Sequence, residues 1–161
     1  MTYSDYLIIF FADYLAWFFV LGVIFFVFIF DSKKRLYILA EALAAAIFSR
    51  FVITEIIRFF YHTERPFETM PGVKQLIEHS TGGSFPSGHA AFFFAIAATI
   101  FIYNKRWGSL FLMTSIVMGI GRVAANLHWP VDILGGAVIA IVSSIVVHYF
   151  AKKTKDRYSL E

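Results

Sequence analysis

Residues 6–30 read YLIIFFADYLAWFFVLGVIFFVFIF, with Asp13 as the one charged side chain among them. A bilayer-spanning helix needs about 20 consecutive apolar residues, and this run exceeds that. It is too long for the apolar core of a signal peptide. It also lacks a basic start, since the first basic residue is Lys33, so it reads as a retained first span. The rest of the chain has the same character. Of its 161 residues 59% are hydrophobic, 20 are Phe, and mean hydropathy is +0.71. Soluble domains hold about 45–50% apolar residues, and a chain of this length has no core large enough to hide such an excess. A membrane hides it, because lipid takes the place of the core. The composition therefore argues against a soluble enzyme, a disordered chain and a nucleic-acid binder.

Working outward, four more spans are expected, at 36–60, 87–103, 107–125 and 130–150. Residues 61–85 are polar and carry Pro66, Pro71, Gly72, Gly82 and Gly83, which marks a loop. The expected architecture is all-α: a single membrane-embedded domain over residues 1–161, built as an integral membrane helical bundle of about five transmembrane helices. Cys is absent, which excludes disulfides, thiolate nucleophiles and Cys-ligated zinc. The net charge of +3 reads as loop Lys and Arg. Lys33, Lys34 and Arg35 follow the first span, Lys105 and Arg106 the third, and Lys152, Lys153, Lys155 and Arg157 the fifth. With five spans these clusters share one side, which the positive-inside bias makes cytoplasmic. The N-terminus, the 61–85 loop and the 126–129 turn then face outward, and the C-terminus is cytoplasmic.

That topology gathers Arg58, Arg65, Ser87, His89, Arg122, His128 and Asp132 at the outer water–lipid boundary. Ionisable groups there are costly and are functional candidates by default. In Phe85-Pro86-Ser87-Gly88-His89, Pro86 ends the loop and Ser87 is a good N-cap. The free N–H groups of the helix that follows can point at a phosphate. Gly88 lets the backbone come close. The plainer reading is a capped helix start. His128 precedes Trp129-Pro130, and Asp132 follows four residues on. A carboxylate on one ring nitrogen fixes the tautomer and strengthens the other as a nucleophile. The plainer reading is an interfacial His and an Asp favouring a helix dipole. A His/Asp metal site is a third, weakened by three nearby Arg. Arg58 and Arg65 can fork onto phosphate oxygens, although Arg58 could simply snorkel or pair with Glu55. Asp13 and Arg50 fall at similar depth and are expected to pair or share a polar cluster. Glu41 is expected to snorkel at the cytoplasmic end. His62 and His79 read as solvated loop residues, with Glu64, Glu68 and Glu78 as solvated charge. Trp17, Trp107 and Trp129 read as interface anchors or packing residues.

In combination, Arg58-x6-Arg65-Pro66, Pro86-Ser87-Gly88-His89 and Arg122-x5-His128-x3-Asp132 resemble the three-part signature of the type 2 phosphatidic acid phosphatase superfamily, in order and in spacing. Two positions depart from it: Arg58 stands where the family usually has Lys, and Gly121 where it usually has Ser. Many membrane members also have six spans. The resemblance implies phosphate-ester hydrolysis through a phosphohistidine, without metal or other cofactor. His128 would be the nucleophile, Asp132 its orienting partner and His89 the general acid. Arg58, Arg65, Ser87, Gly88 and Arg122 would form the phosphate cradle. The implied partner is a membrane lipid phosphate, hydrolysed on the extracytoplasmic side of the cell membrane. The Glu64–Phe67 and His128–Asp132 stretches are similar to those of bacterial undecaprenyl-diphosphatases, which makes undecaprenyl diphosphate the expected substrate. Phosphatidylglycerophosphate, phosphatidate and the lipid A phosphate are alternatives. A reading of another class is a non-catalytic head-group binder or a small transporter.

Overall fold

The computed structural model describes residues 1–29, 32–73, 75–78 and 81–158. Among them there is helix and loop but no strand. The apolar run that opens the chain forms α1, Tyr3–Ile29, and the second forms α2, Lys34–Phe60. A short α3, Pro66–Thr69, lies in the loop. Three helices follow: α4, Gly88–Tyr103; α5, Lys105–Ala124; and α6, Pro130–Tyr158. Four of these helices, α1, α2, α5 and α6, are long and apolar enough to cross a membrane. The span expected at 87–103 is α4, shorter at 16 residues, or about 24 Å at 1.5 Å per residue.

The short helix is the centre of the bundle. It packs most extensively on α6, then on α5 and α2, and its Ala90, Ala91, Ala95 and Ala97 are buried. Small side chains there let three neighbours close in. Phe19 and Phe26 of α1 meet Phe93, Trp107 and Phe111 edge-on or tilted, joining α1 to the same core. Trp107 is therefore a packing residue, whereas Trp17 is exposed on the outer surface of α1. Large apolar side chains such as Phe18, Phe25, Phe28, Leu134 and Ile145 are exposed all round the bundle. In water such a surface would drive association; against lipid it is the expected exterior.

Two helix crossings are made at glycine. A Cβ on Gly121 would fall 2.7 Å from the Ala12 backbone nitrogen and 2.8 Å from the Phe11 carbonyl carbon. The backbone of α1 thus occupies the place of the serine usual in the family, which accounts for that departure. A Cβ on Gly136 would fall 2.6 Å from the Ser87 carbonyl oxygen, so α6 crosses the start of α4 at van der Waals range.

Two expectations are corrected here. Glu41 does not snorkel: it is buried between helices. Its carboxylate accepts from the Tyr103 hydroxyl at 2.6 Å and lies 2.9 Å from Nδ1 of His148, so it ties α2, α4 and α6 together. A carboxylate held by two partners is more stable inside than stretched toward water. Asp13 and Arg50 do not pair either. Each lies in a π-helical segment, Phe10–Tyr14 or Phe48–Ile53. The wider turn re-aims each side chain. Arg50 forms its ion pair with Glu55, and Asp13 follows Ala12, where α1 crosses α5 at Gly121. His62 is exposed, as expected; His79 lies outside the described residues.

Candidate active site

The N-termini of α4 and α6 meet at one end of the bundle, where the Ser87 N–H donates to the Asp132 carbonyl at 3.0 Å. Ser87 is the N-cap of α4, its hydroxyl accepting from the Ala90 N–H at 3.4 Å. At the start of α6 the Asp132 carboxylate accepts from the Trp129 N–H at 2.8 Å and from the Ser84 hydroxyl. The same carboxylate oxygen lies 3.3 Å from Nδ1 of His128. The turn that precedes Pro130 therefore folds back, and His128 and Asp132 meet across their four-residue spacing.

On the other side of the ring, Nη1 of Arg65 lies 3.3 Å from Nε2 of His128 and donates to the Leu127 carbonyl at 2.9 Å. A guanidinium can only donate, so Nε2 is the acceptor and the ring proton is on Nδ1, facing Asp132. The lone pair of Nε2 thus points at a cation. His128, Asp132, Arg65 and Arg122 are all buried. Nε and Nη1 of Arg122, and Nε of Arg65, are buried without a hydrogen-bond partner. Buried donors normally find acceptors, and an anion with several oxygens would supply them. Arg58 spends Nε and Nη2 on the Pro86 carbonyl, at 3.2 and 2.8 Å, which pins the loop ahead of α4. Its Nη1 lies 3.7 Å from Glu55.

His89 stands in the first turn of α4. It lines a small recess with Arg122, Ser115, Met118, Gly119 and Ile133. Gly119 and Ile133 also line an apolar groove of about 530 Å³ between α5 and α6, floored by Phe94 and flanked by Ile116, Ile120, Val123, Leu134 and Ala137. The structure thus brings all eight candidate residues to one end of the bundle. It adds one that the sequence did not single out. Ser84 is fully buried, and its hydroxyl reaches both Asp132 and, at 3.4 Å, Nδ1 of His128. It stands three residues before Ser87, but no spacing signal linked it to a carboxylate far along the chain.

Burial lowers the pKa of His128 from 6.5 to about 4; Asp132 opposes the shift, while Arg65 and Arg122 add to it. Burial likewise presses the pKa of Arg65 downward, with Glu68 and Asp132 working against it. The consequence for His128 has a definite sign. A depressed pKa keeps the ring neutral, with Nε2 unprotonated, down to about pH 4. The limb of the kcat/KM profile that reports His128 in the free enzyme should therefore fall near pH 4, not 6.5. A pH series on a lipid phosphate would measure it, and half-loss at pH 6.5 would contradict a buried neutral nucleophile.

Comparison with known proteins shows the family. Residues 35–156 match the family model of the PAP2 superfamily, and the chain belongs to that family. It is a hydrolase of the lipid phosphatase class. It is 32% identical to "Bacitracin transport permease protein BcrC" of Bacillus licheniformis, over 89% of this chain and 70% of that one. It is also 32% identical to "Undecaprenyl-diphosphatase BcrC" of Bacillus subtilis, over 62% of this chain and 51% of that one, so the match spans about half of that relative's length. In three dimensions it is similar to LpxE of Aquifex aeolicus, with a TM-score of 0.73 and 25% identity, covering 92% of this chain and 87% of that one.

Proposed function

We propose that the chain hydrolyses a membrane lipid diphosphate through a phosphohistidine, the best candidate being undecaprenyl diphosphate. The observation that carries this reading is the Nε2 lone pair of His128. It is aimed at Arg65 while Nδ1 is held by Asp132, and the unpartnered donors of Arg122 belong to the same site. Nε2 attacks the terminal phosphorus and forms a P–N bond as the bond to the bridging oxygen breaks. The electron pair leaves on that oxygen, which takes a proton from His89. Water then attacks the phosphohistidine and gives its proton to His89, releasing phosphate and restoring His128. Arg65, Arg122, Arg58, Ser87 and the Gly88 N–H stabilise the charge that spreads over the phosphoryl oxygens.

The apolar groove supports a lipid substrate, because it lies between α5 and α6 and shares Gly119 and Ile133 with the His89 recess. The kinship to an undecaprenyl-diphosphatase supports the polyisoprenoid. The five-helix arrangement counts α4 as the fifth span. The basic residues at the far ends of α4 and α6 support an outward-facing site and a cytoplasmic C-terminus, with residues 1–161 forming one membrane-embedded unit.

The test is phosphate release from undecaprenyl diphosphate by purified protein in detergent with divalent ions chelated. Turnover is expected, and His89→Ala should lower it by about 10²–10⁴-fold, the usual worth of a general acid. Tight binding without release would favour a head-group binder instead.

A further inference from the structure

Arg50 belongs to none of the three motifs, yet it reaches the phosphate cradle. It lies in the π-helical segment of α2 and faces the first residue of α4. A Cβ built on Gly88 would fall inside the Arg50 side chain, 2.7 Å from Cδ and 2.8 Å from Cζ. The absence of a side chain at position 88 therefore makes room for a guanidinium as well as for an approaching phosphate. Nη1 of Arg50 forms an ion pair with Oε1 of Glu55, and the same oxygen lies 3.7 Å from Nη1 of Arg58. One carboxylate oxygen thus sits between two guanidinium groups. Its residue is half exposed, while both arginine side chains are largely covered.

Arg58 holds the Pro86 carbonyl and Arg50 lies against Gly88, so the two grip the residues on either side of Ser87, whose N–H donates to the Asp132 carbonyl. The pair Arg50 and Arg58 is therefore one step removed from the position where the terminal phosphate is attacked. Two guanidinium groups around one carboxylate oxygen are also the arrangement that binds a phosphate oxygen. Glu55 is held by an exposed pairing, which is weak, and a phosphate brings more charge and more oxygens than a carboxylate.

We propose that Arg50, with Arg58 shared between the two phosphates, forms a second anion subsite beside the first turn of α4 for the inner phosphate of a lipid diphosphate, and that Glu55 fills it when no substrate is bound. This rests on the phosphatase reading of the same site. It gives Arg50 and Glu55, which lie outside the family motifs, the choice between diphosphate and monophosphate. A monophosphate lipid fills the place beside His128 and reaches no further than Arg58, and Glu55 stays on Arg50. A diphosphate displaces Glu55 and gains the Arg50 fork.

The experiment compares undecaprenyl diphosphate with undecaprenyl phosphate, as kcat and KM, for wild type, Arg50→Gln, Arg50→Lys and Glu55→Gln in detergent. Arg50→Gln should cut the diphosphate-to-monophosphate ratio of kcat/KM by about 10–100-fold, the worth of a lost charge-assisted hydrogen bond. Most of the loss should appear in KM, and Arg50→Lys should recover part of it. Glu55→Gln should make inorganic pyrophosphate a better inhibitor and leave inorganic phosphate little changed. Should Arg50→Gln fail to fold, as its melting curve would reveal, the Glu55→Gln inhibition pair decides alone. Equal loss on both lipids in Arg50→Gln, or an unaltered pyrophosphate constant in Glu55→Gln, overturns the subsite and leaves the phosphatase reading intact. Wild-type protein that releases phosphate from neither lipid removes both.

Discussion

Replacing His128 with Ala is expected to abolish phosphate release, with a loss on the order of 10⁴-fold or more, as for nucleophiles whose neighbours cannot act without them. The expectation follows from how the ring is held. Its Nδ1 side is occupied by Asp132 and Ser84, and its Nε2 side looks onto Arg65. No other described side chain stands in that position. His89 is on α4, in the recess with Arg122, where it can pass protons to a leaving oxygen. The variant should keep its fold, because the carboxylate of Asp132 still holds the Trp129 N–H and the Ser84 hydroxyl. It should also keep its affinity for lipid phosphate, since the arginines remain. Release of phosphate at even a hundredth of the wild-type rate would reject His128 as the attacking group.

The second large effect is expected at Asp132. Asp132→Asn keeps the shape and can still accept from the Trp129 N–H. It cannot stabilise a positive ring, and its amide can present a donor to Nδ1, which favours the proton on Nε2. The nucleophilic lone pair would then face the wrong way. In a comparable His–Asp pairing the same change costs about 10⁴-fold in kcat. The loss should fall on kcat, because Asp132 is behind the histidine and the arginines of the proposed cradle are unaltered. A burst assay with a lipid diphosphate separates the two steps, and an effect confined to KM would show that Asp132 shapes binding instead. Ser84→Ala removes a smaller part of the same support.

Much of this arrangement was legible in the residues. Long apolar runs define helices because lipid leaves the backbone no other partner. The pairing of His128 with Asp132 follows from a spacing of four beside a proline that starts a helix. The shared location of the three motifs follows from counting spans. What the sequence did not disclose depends on helix rotation. Asp13 and Arg50 are at similar depth, but each sits in a π-helical turn, which shifts the phase of the side chains beyond it. One therefore stands where α1 crosses α5 and the other meets Gly88 and Glu55. Glu41 looked like a helix-end charge because its partners, Tyr103 and His148, are 62 and 107 residues away. Ser84 had no spacing that tied it to Asp132. In each case the partner was set by tertiary packing, which a reading along the chain does not contain.

The Glu41 cluster also governs which wall of the bundle can give way. It rivets α2, α4 and α6 at the end remote from the cradle, and α5 has no part in it. Along the seam between α5 and α6 no side-chain hydrogen bond joins the two among the described residues, and the facing surfaces are apolar. A lipid tail lodged in this seam would break no side-chain hydrogen bond between the two helices and would leave the Glu41 cluster intact.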